Sequence, residues 1–376
     1  MSVSPASTEE LAAAIKEASR GGQSVRFSGG HTKWGWGAPA SEPDLELSTL
    51  ALDQIVEHNE GDLTAVLDAG VTLAALAETV GGANQMLALD PPWGDDDAAT
   101  VGGAIATADS GPLRHRYGSV RDLVLGMTVV LSDGTVSKSG GKVIKNVAGY
   151  DLAKLFAGSY GSLGAVLRVA VRLHPLAPAT ATAVGHSDDP LSLADAASAL
   201  SHAQLELQSL DVRWEDGHGT VLGRFGGATA SDPAAEVAEL LEQRGLETEV
   251  EADDTPLWDA QRAAQRSPGG IVVRVSGVQD QTGALLVFAQ EHGARVVGRA
   301  ALGLSWVTLP EPGLLKALRT LLAPSPCVVL DAPAAVRGDL DAWGPLDPGS
   351  TALMERVRER FDPTRTCAPG ILAGGI

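Results

Sequence analysis

Four clusters in this chain set glycine beside hydroxyl or cationic residues, the combination a backbone needs to approach a phosphate closely. They are Ser28-Gly29-Gly30-His31-Thr32-Lys33, Thr100-Val101-Gly102-Gly103 with Ser110-Gly111, Gly141-Lys142, and Gly158-Ser159-Tyr160-Gly161-Ser162-Leu163-Gly164. A P-loop requires Gly-x-x-x-x-Gly-Lys-Ser/Thr. Gly141-Lys142 has Val136 at the first glycine and Val143 at the hydroxyl, so it fails. A Rossmann fingerprint requires a strand, Gly-x-Gly-x-x-Gly and a helix. The cluster at 28–33 has neither that spacing nor a following helix, because Pro39 and Pro43 interrupt the chain. Ser159 and Ser162 each lack one glycine of a nucleophile elbow. Two readings of the first loop stay open. Its N–H groups converge into an anion nest beside Lys33, or its glycines simply turn the chain. Three such loops exceed what turning requires, and together they would suit a large, flat, phosphorylated cofactor such as a flavin dinucleotide.

Regular elements must hold these loops. Ser7-Thr8-Glu9-Glu10 has capping-box spacing ahead of Leu11, Ala14, Ile15 and Ala18, which predicts a first helix ending at Gly21-Gly22. Strands are expected at 25–27, 45–52, 63–67, 123–131 and 164–173, with helices at 73–80 and 146–156. Ser132-Asp133-Gly134-Thr135 should turn a hairpin. A boundary is placed at His174-Pro175-Leu176-Ala177-Pro178. Beyond it, strands alternate with single helices in two cycles, which suggests one sheet with helices on one face. The chain ends in a helix over 350–361 and a turn-rich tail.

Composition narrows the chemistry. The 376 residues suit two domains, and 44 glycines exceed the usual level of about 7%. With 28 basic and 47 acidic residues the net charge is −19, so bulk charge attracts neither nucleic acid nor an anionic membrane. Cys327 and Cys367 form no metal or disulfide framework and fit a reducing compartment. No apolar run approaches the roughly 20 residues of a membrane span, and the first twenty residues lack a signal-peptide pattern. A cytoplasmic protein is expected.

The order of motifs resembles the PCMH-type FAD-binding family of vanillyl-alcohol oxidase and p-cresol methylhydroxylase, and within it the FAD-binding subunit of glycolate oxidase. The motifs are Ser28–Lys33, Leu89-Asp90-Pro91-Pro92, Thr100–Gly103, Ser110-Gly111-Pro112-Leu113-Arg114, the run 118–126, Lys145-Asn146-Val147-Ala148-Gly149-Tyr150-Asp151-Leu152, 158–164, and Phe361-Asp362-Pro363 with Pro369-Gly370. The likeness spans about residues 5–175 and the last thirty. It implies an α+β fold: a two-subdomain FAD-binding domain at 1–175, a smaller α+β cap at 176–345, and a C-terminal tail at 346–376 returning to the first domain. By the same resemblance Ser28, Gly29, Gly30, His31, Thr32 and Lys33 would hold the pyrophosphate. Pro91, Thr100, Gly102, Gly103, Ser110 and Gly111 would line the flavin and ribityl chain, while Gly161, Gly164 and Val166 would add backbone contacts.

Where catalytic relatives have glutamate and asparagine, this chain has Tyr160 and Ala368, so neither is expected to bind cofactor. His31 matches the Ser-Gly-Gly-His of oxidases resembling berberine bridge enzyme, whose histidine links covalently to flavin. Trp34 and Trp36 either wall the adenine or simply pack. Asp95-Asp96-Asp97 lacks metal-ligand spacing and reads as a solvated acidic loop. Lys142 and Lys145 either face a phosphate or lie on the surface. Arg114 is the candidate for a substrate carboxylate, since an arginine fork fits one bidentately; a solvated basic turn is the alternative. No general base is apparent. The resemblance implies a redox subunit that acts through FAD on a small 2-hydroxy acid, with a second FAD-binding subunit and an iron–sulfur subunit as partners. The chain's two isolated cysteines cannot ligate a cluster themselves. A structural partner with little catalysis, or a stand-alone FAD-dependent oxidase, are the alternatives.

Overall fold

The computed structural model describes residues 1–143, 150–267 and 269–376. They gather into two compact units. One comprises Met1–Ser110, Gly118–Leu176 and Pro345–Ile376; the other, Gly111–Tyr117 and Ala177–Gly344.

The first unit starts as its capping residues predict. Ser7 caps helix Thr8–Arg20 by accepting the N–H of Glu10, and the Glu10 carboxylate accepts the N–H of Ala6, one residue before the cap, in place of the box's return bond to Ser7. Leu11, Ile15 and Ala18 recur at helical spacing and are buried against Val25, Leu47 and Leu167. Strands β1 (Ser2–Val3), β2 (Val25–Ser28) and β3 (Leu45–Ser48) form a parallel sheet in the order β1-β3-β2. Strands β4 (Ile55–Asn59) and β5 (Thr64–Asp68) precede the short β6 (Gln85–Met86). They are followed by β7 (Val124–Val130), β8 (Val136–Gly140), β9 (Ala165–Arg172) and β10 (His174–Pro175). An antiparallel sheet runs β4-β5-β9-β7-β8, and β10 pairs with β6. The predicted hairpin joins β7 to β8, with Gly134 at φ +82. Of the helix expected at 146–156, residues 144–149 lie outside the described residues, and the helix seen is Ala153–Phe156.

The tail returns to this unit. Helix Pro348–Phe361 ends at Asp362, whose buried carboxylate accepts the N–H groups of Thr366 and Cys367. The turned chain then runs beside β2. Val25 donates to Thr366 at 2.7 Å, and Ala368 donates to Val25 at 2.7 Å.

The second unit is one eight-stranded sheet. It holds β11 (Thr180–Ser187), β12 (Ser209–Glu215), β13 (His218–Gly226) and β14 (Glu247–Glu251). It continues with β15 (Ile271–Ser276), β16 (Arg295–Arg299), β17 (Leu304–Leu309) and β18 (Cys327–Asp331). Their order is β14-β11-β13-β12-β16-β17-β15-β18. The two predicted cycles are two β-α-β-β-α-β motifs, joined edge to edge where β12 pairs with β16. Leu193, Val237, Leu286 and Leu318, one from each crossover helix, share a single core on one face. The other face is not bare, contrary to the one-sided layer expected. Helix Thr255–Ala263 packs there, with Trp258 against Val184 and Leu222. Its apolar stripe is almost a single tryptophan, which explains why hydrophobic periodicity does not reveal it.

That second face buries charge. Arg299 and Asp211 are both fully buried and pair at 2.6 Å, and Gln261 adds a donor to the same carboxylate oxygen at 2.9 Å. Arg299 also lies 4.8 Å from the ring of Trp306. Burial pushes the Asp211 carboxyl up to about 6, against the opposing pull of Arg299. Removing the arginine should therefore raise this carboxyl further above its unfolded value. Arg299→Met is expected to cost on the order of 3–5 kcal/mol at pH 8. The deficit should shrink as pH falls from 8 towards 6, because the variant's carboxyl, raised above the wild-type value of about 6, takes up in the folded form a proton that the unfolded chain lacks. It should level off below 6, where the wild-type carboxyl is protonated too. Urea unfolding followed by tryptophan fluorescence at both pH values checks the magnitude and the sign.

Candidate functional site

The spine of the site is the short helix Val101–Thr107. Its start is sewn to the chain after β5: Val101 donates to Val71 and Gly102 to Ala69, at 2.8 and 2.9 Å. Thr100 caps it by accepting the N–H of Gly103 at 3.1 Å. The loop after β2 lies directly on this start. A Cβ on Gly30 would sit 1.7 Å from the carbonyl oxygen of Ala98, and one on Gly29 2.4 Å from Thr100 Oγ1. No side chain fits at either place. The third glycine loop meets the other end of the helix, where Gly158 donates to Ile105 and Tyr160 to Ala106. Gly161, at φ +78, brings that loop against Phe27 of β2. One small-residue helix thus gathers all three loops.

Ser28 and Lys33 turn their side chains inward, while His31 stays exposed. Ser28 donates its hydroxyl to Glu46 at 2.6 Å, and His31 Nε2 lies 2.8 Å from the same carboxylate oxygen. Lys33 reaches inward to Asp109, with Nζ 3.3 Å from Oδ2. Arg26 lies 3.8 Å over the Trp34 ring and donates to the Trp34 carbonyl. The backbone is different. Among the described residues, the N–H groups of Gly29, Gly30, His31 and Lys33 have no hydrogen-bond acceptor. With His31 at φ +55, these neutral donors form a concave backbone suited to an anion.

They border a cavity of about 100 Å³ lined by residues 26–34, Trp36, Thr100, Gly103, Ala106, Thr107, Tyr160, Gly161 and Ile371. Small-molecule pockets run to roughly 300–1,000 Å³, so this space is smaller than a whole dinucleotide needs. It collects Ser28, Gly29, Gly30, His31, Thr32, Lys33, Thr100, Gly103 and Gly161 from the sequence-based set. The other members lie away from it. Pro91 and Gly102 are buried, and a Cβ at Gly102 would strike Ala69 at 2.7 Å. Ser110 is buried and donates its N–H to Asp109. Gly164 packs on Val130, while Val166 is a core position of β9 paired with Val129. Gly111 and Arg114 group with the second unit, where Arg114 opens helix Arg114–Tyr117.

Sequence reasoning discounted Tyr160, yet the structure sets it in the cavity wall at φ +55. Ile371, supplied by the returning tail, was missed because no local signal marks it. Trp36 is 1% exposed and Trp34 stacks on Arg26, so both tryptophans also line the cavity. Asp95-Asp96-Asp97 is exposed, and no three His, Cys, Asp or Glu gather for a metal among the described residues. Lys142 is an exposed partner of Glu57, and Lys145 lies outside the described residues. No helix among those described is long and apolar enough to cross a membrane.

Residues 1–140 match the family model described as FAD binding domain. The chain is similar to a D-lactate dehydrogenase of Archaeoglobus fulgidus, 36% identical over 173 residues that cover 46% of this chain and 38% of that one. It is also similar to glycolate oxidase subunit GlcE of Escherichia coli, 34% identical over 178 residues, 44% of this chain and 49% of that one. The matched part is thus at most about half of these relatives' length. Among solved structures, 4-ethylphenol oxidase from Gulosibacter chungangensis covers 98% of this chain and 88% of its own, with TM-score 0.72 and 16% identity. Alkyldihydroxyacetonephosphate synthase covers 98% of this chain and 75% of its own, with TM-score 0.68 and 14% identity. The fold is that of PCMH-type FAD-binding proteins, and the domain match and flavoprotein relatives support FAD as the cofactor.

Gly30→Ala should therefore abolish FAD retention, because even one methyl group collides with the Ala98 carbonyl. Gly35, in the same loop, has open space around its Cβ position. Gly35→Ala should keep wild-type flavin absorbance per mole of purified protein, the measurement that compares the two.

Proposed function

We propose that this chain is an FAD-binding oxidoreductase subunit of a complex that oxidises small 2-hydroxy acids such as glycolate. One observation carries the reading. The unpartnered N–H groups of Gly29, Gly30 and His31 border a cavity whose wall also includes the small residues Thr100, Gly103, Ala106 and Gly161. A diphosphate would be held there by these amides, with Thr100, Gly103 and Gly161 leaving room for its approach. FAD, when bound, supplies the two-electron acceptor. The chain's own residues would orient it, exclude water from the diphosphate and admit the substrate.

The substrate class is supported by relatives whose names specify D-lactate, glycolate and D-2-hydroxyglutarate. Arg114 is the proposed carboxylate contact, because an arginine fork fits a carboxylate bidentately. The onward electron acceptor would lie outside this chain. Cys327 and Cys367 are buried, and burial pushes both thiols up, away from the thiolate that an iron–sulfur cluster needs. A partner FAD-binding subunit and an iron–sulfur subunit would complete the path, as the resemblance to a glycolate oxidase component implies. A cytoplasmic complex is the corresponding setting.

A second reading is a subunit that keeps flavin without turning over substrate itself. It is favoured by the engagement of the cavity's basic groups: His31 with Glu46, Lys33 with Asp109, and Arg26 with Trp34. Anaerobic mixing with glycolate, D-lactate or D-2-hydroxyglutarate separates the readings. The isolated chain should bind FAD stoichiometrically, yet its flavin absorbance should bleach slowly or not at all. Co-purified partner subunits should restore rapid bleaching if the chain takes part in turnover. Fast bleaching in the isolated chain would exclude both subunit readings and leave a stand-alone oxidase. A colourless protein that cannot be reconstituted with FAD would exclude all three.

A further inference from the structure

We infer that Lys33 is a positioning residue, clamping the glycine loop to helix Val101–Thr107 through Asp109, and that the cofactor's diphosphate is held by uncharged donors alone. The second half of this inference rests on the FAD reading above; the clamp does not.

Lys33 looks from its sequence like the loop's phosphate cation, preceded as it is by two glycines, a histidine and a threonine. Its burial argues otherwise. The side chain is 6% exposed, and its partner Asp109 is 3% exposed. Asp109 is fixed in turn, because its other oxygen accepts the N–H of Ser110 at 3.0 Å. Nζ of Lys33 lies 5.7 Å from the ring centre of buried Trp36. A desolvated ammonium and carboxylate at this separation present a dipole to the cavity, with no net charge. The lysine therefore adds little attraction for a dianionic diphosphate. What it does is span the cavity wall from the loop at 28–34 to the residues just beyond the helix C-terminus. The helix's other end is already fixed to the loop by the Gly29 and Gly30 contacts, so Lys33 supplies the second point of attachment. Two points fix the orientation of the intervening N–H groups, where one would leave the loop free to pivot.

The two roles predict opposite results for removing the carboxylate. If Lys33 is a clamp, Asp109→Asn strands its charge in a buried site and lets the loop swing, so FAD should bind on the order of tenfold or more weakly. If Lys33 attracts the diphosphate directly, removing the opposing charge should tighten binding. Lys33→Met should weaken FAD binding in either case. The double variant Lys33→Met, Asp109→Leu decides between them, because an apolar pair of similar volume keeps the contact without the charges. The clamp predicts recovery toward wild-type affinity, whereas a phosphate contact predicts none.

Fluorescence titration with FAD at several salt concentrations gives these affinities. Wild-type affinity should be flat or rise with salt, because screening only relieves repulsion from a chain of charge −19. Thermal unfolding of the cofactor-free variants tests the clamp alone. Both single variants should melt lower and the double variant should recover. Additive losses in melting overturn the clamp whatever FAD does. Failure of wild type to bind FAD, with melting recovery intact, would overturn only the cofactor reading. Tightening in Asp109→Asn, or affinity that falls steeply with salt, would return Lys33 to the diphosphate.

Discussion

The first unit depends on one close approach: the backbone of Gly29-Gly30 pressed on the carbonyl and side chain that lead into helix Val101–Thr107. A hypothetical Cβ 1.7 Å from the Ala98 oxygen leaves no alternative residue and no alternative depth of packing. The contact fixes where β2 ends relative to the helix. It also sets which way the loop's N–H groups face. The helix, in turn, is composed of Val, Gly, Gly, Ala, Ile, Ala and Thr, and five of its seven residues are buried. Its thinness lets two further loops reach it, one at each end. A leucine-rich helix here would pack better as a helix and would keep all three loops apart.

Most of this arrangement was legible in the sequence because its signals are local. Capping spacing placed helix Thr8–Arg20, and the helix expected at 73–80 and the strands expected at 63–67, 123–131 and 164–173 match Leu73–Gly81, β5, β7 and β9 to within a few residues. The loop at 28–33 could be recognised by composition, and the structure gathers all six of its residues at the cavity. The limits of the site were harder. Pro91, Gly102, Ser110, Gly164 and Val166 carry the same small or rigid residue types, yet none of them lines this cavity. Residue type alone cannot separate a glycine that admits a ligand from one that admits a neighbouring strand. Gly164, whose Cβ would meet the Val130 carbonyl at 2.5 Å, is the second kind. Ile371 shows the opposite failure, since an apolar residue brought in by the chain terminus has no signal until the tail is seen beside β2.

The second unit was legible as rhythm but not as architecture. Alternating strands and helices predicted two cycles, and two related motifs are present. The joint between them is set by non-local pairing of β12 with β16, which no short-range pattern encodes. The covered second face was hidden for a related reason. Its helix contributes Trp258 and polar groups, and the sheet beneath contributes Asp211, Arg224 and Arg299, residue types that ordinarily mark solvent. They are tolerated because each finds a partner. Asp254 shows this: its two oxygens take the hydroxyls of Thr180 and Thr182 and the guanidinium of Arg224. A buried polar layer of this kind contributes less to stability than an apolar one would, but it penalises any register in which the partners miss one another.

Net charge gives the two halves of the reading a common origin. A chain of charge −19 repels an anionic cofactor over a Debye length of about 8 Å at physiological salt. One solution would be an exposed cluster of lysines or arginines at the diphosphate. The chain instead commits its nearby basic side chains to partners of its own: Lys33 to Asp109, Arg26 to the Trp34 ring and carbonyl, and His31 to Glu46. What remains for an anion is oriented backbone, which carries no counter-charge to neutralise and no long side chain to immobilise. Such donors act only at contact, so they discriminate by shape where a basic patch would discriminate by charge. For a site built from rigid, Cβ-free turns this is consistent, because amide donors are useful only if the loop that carries them cannot move. Rigidity of the glycine loop, and not its charge, is then the property on which the proposed diphosphate site rests.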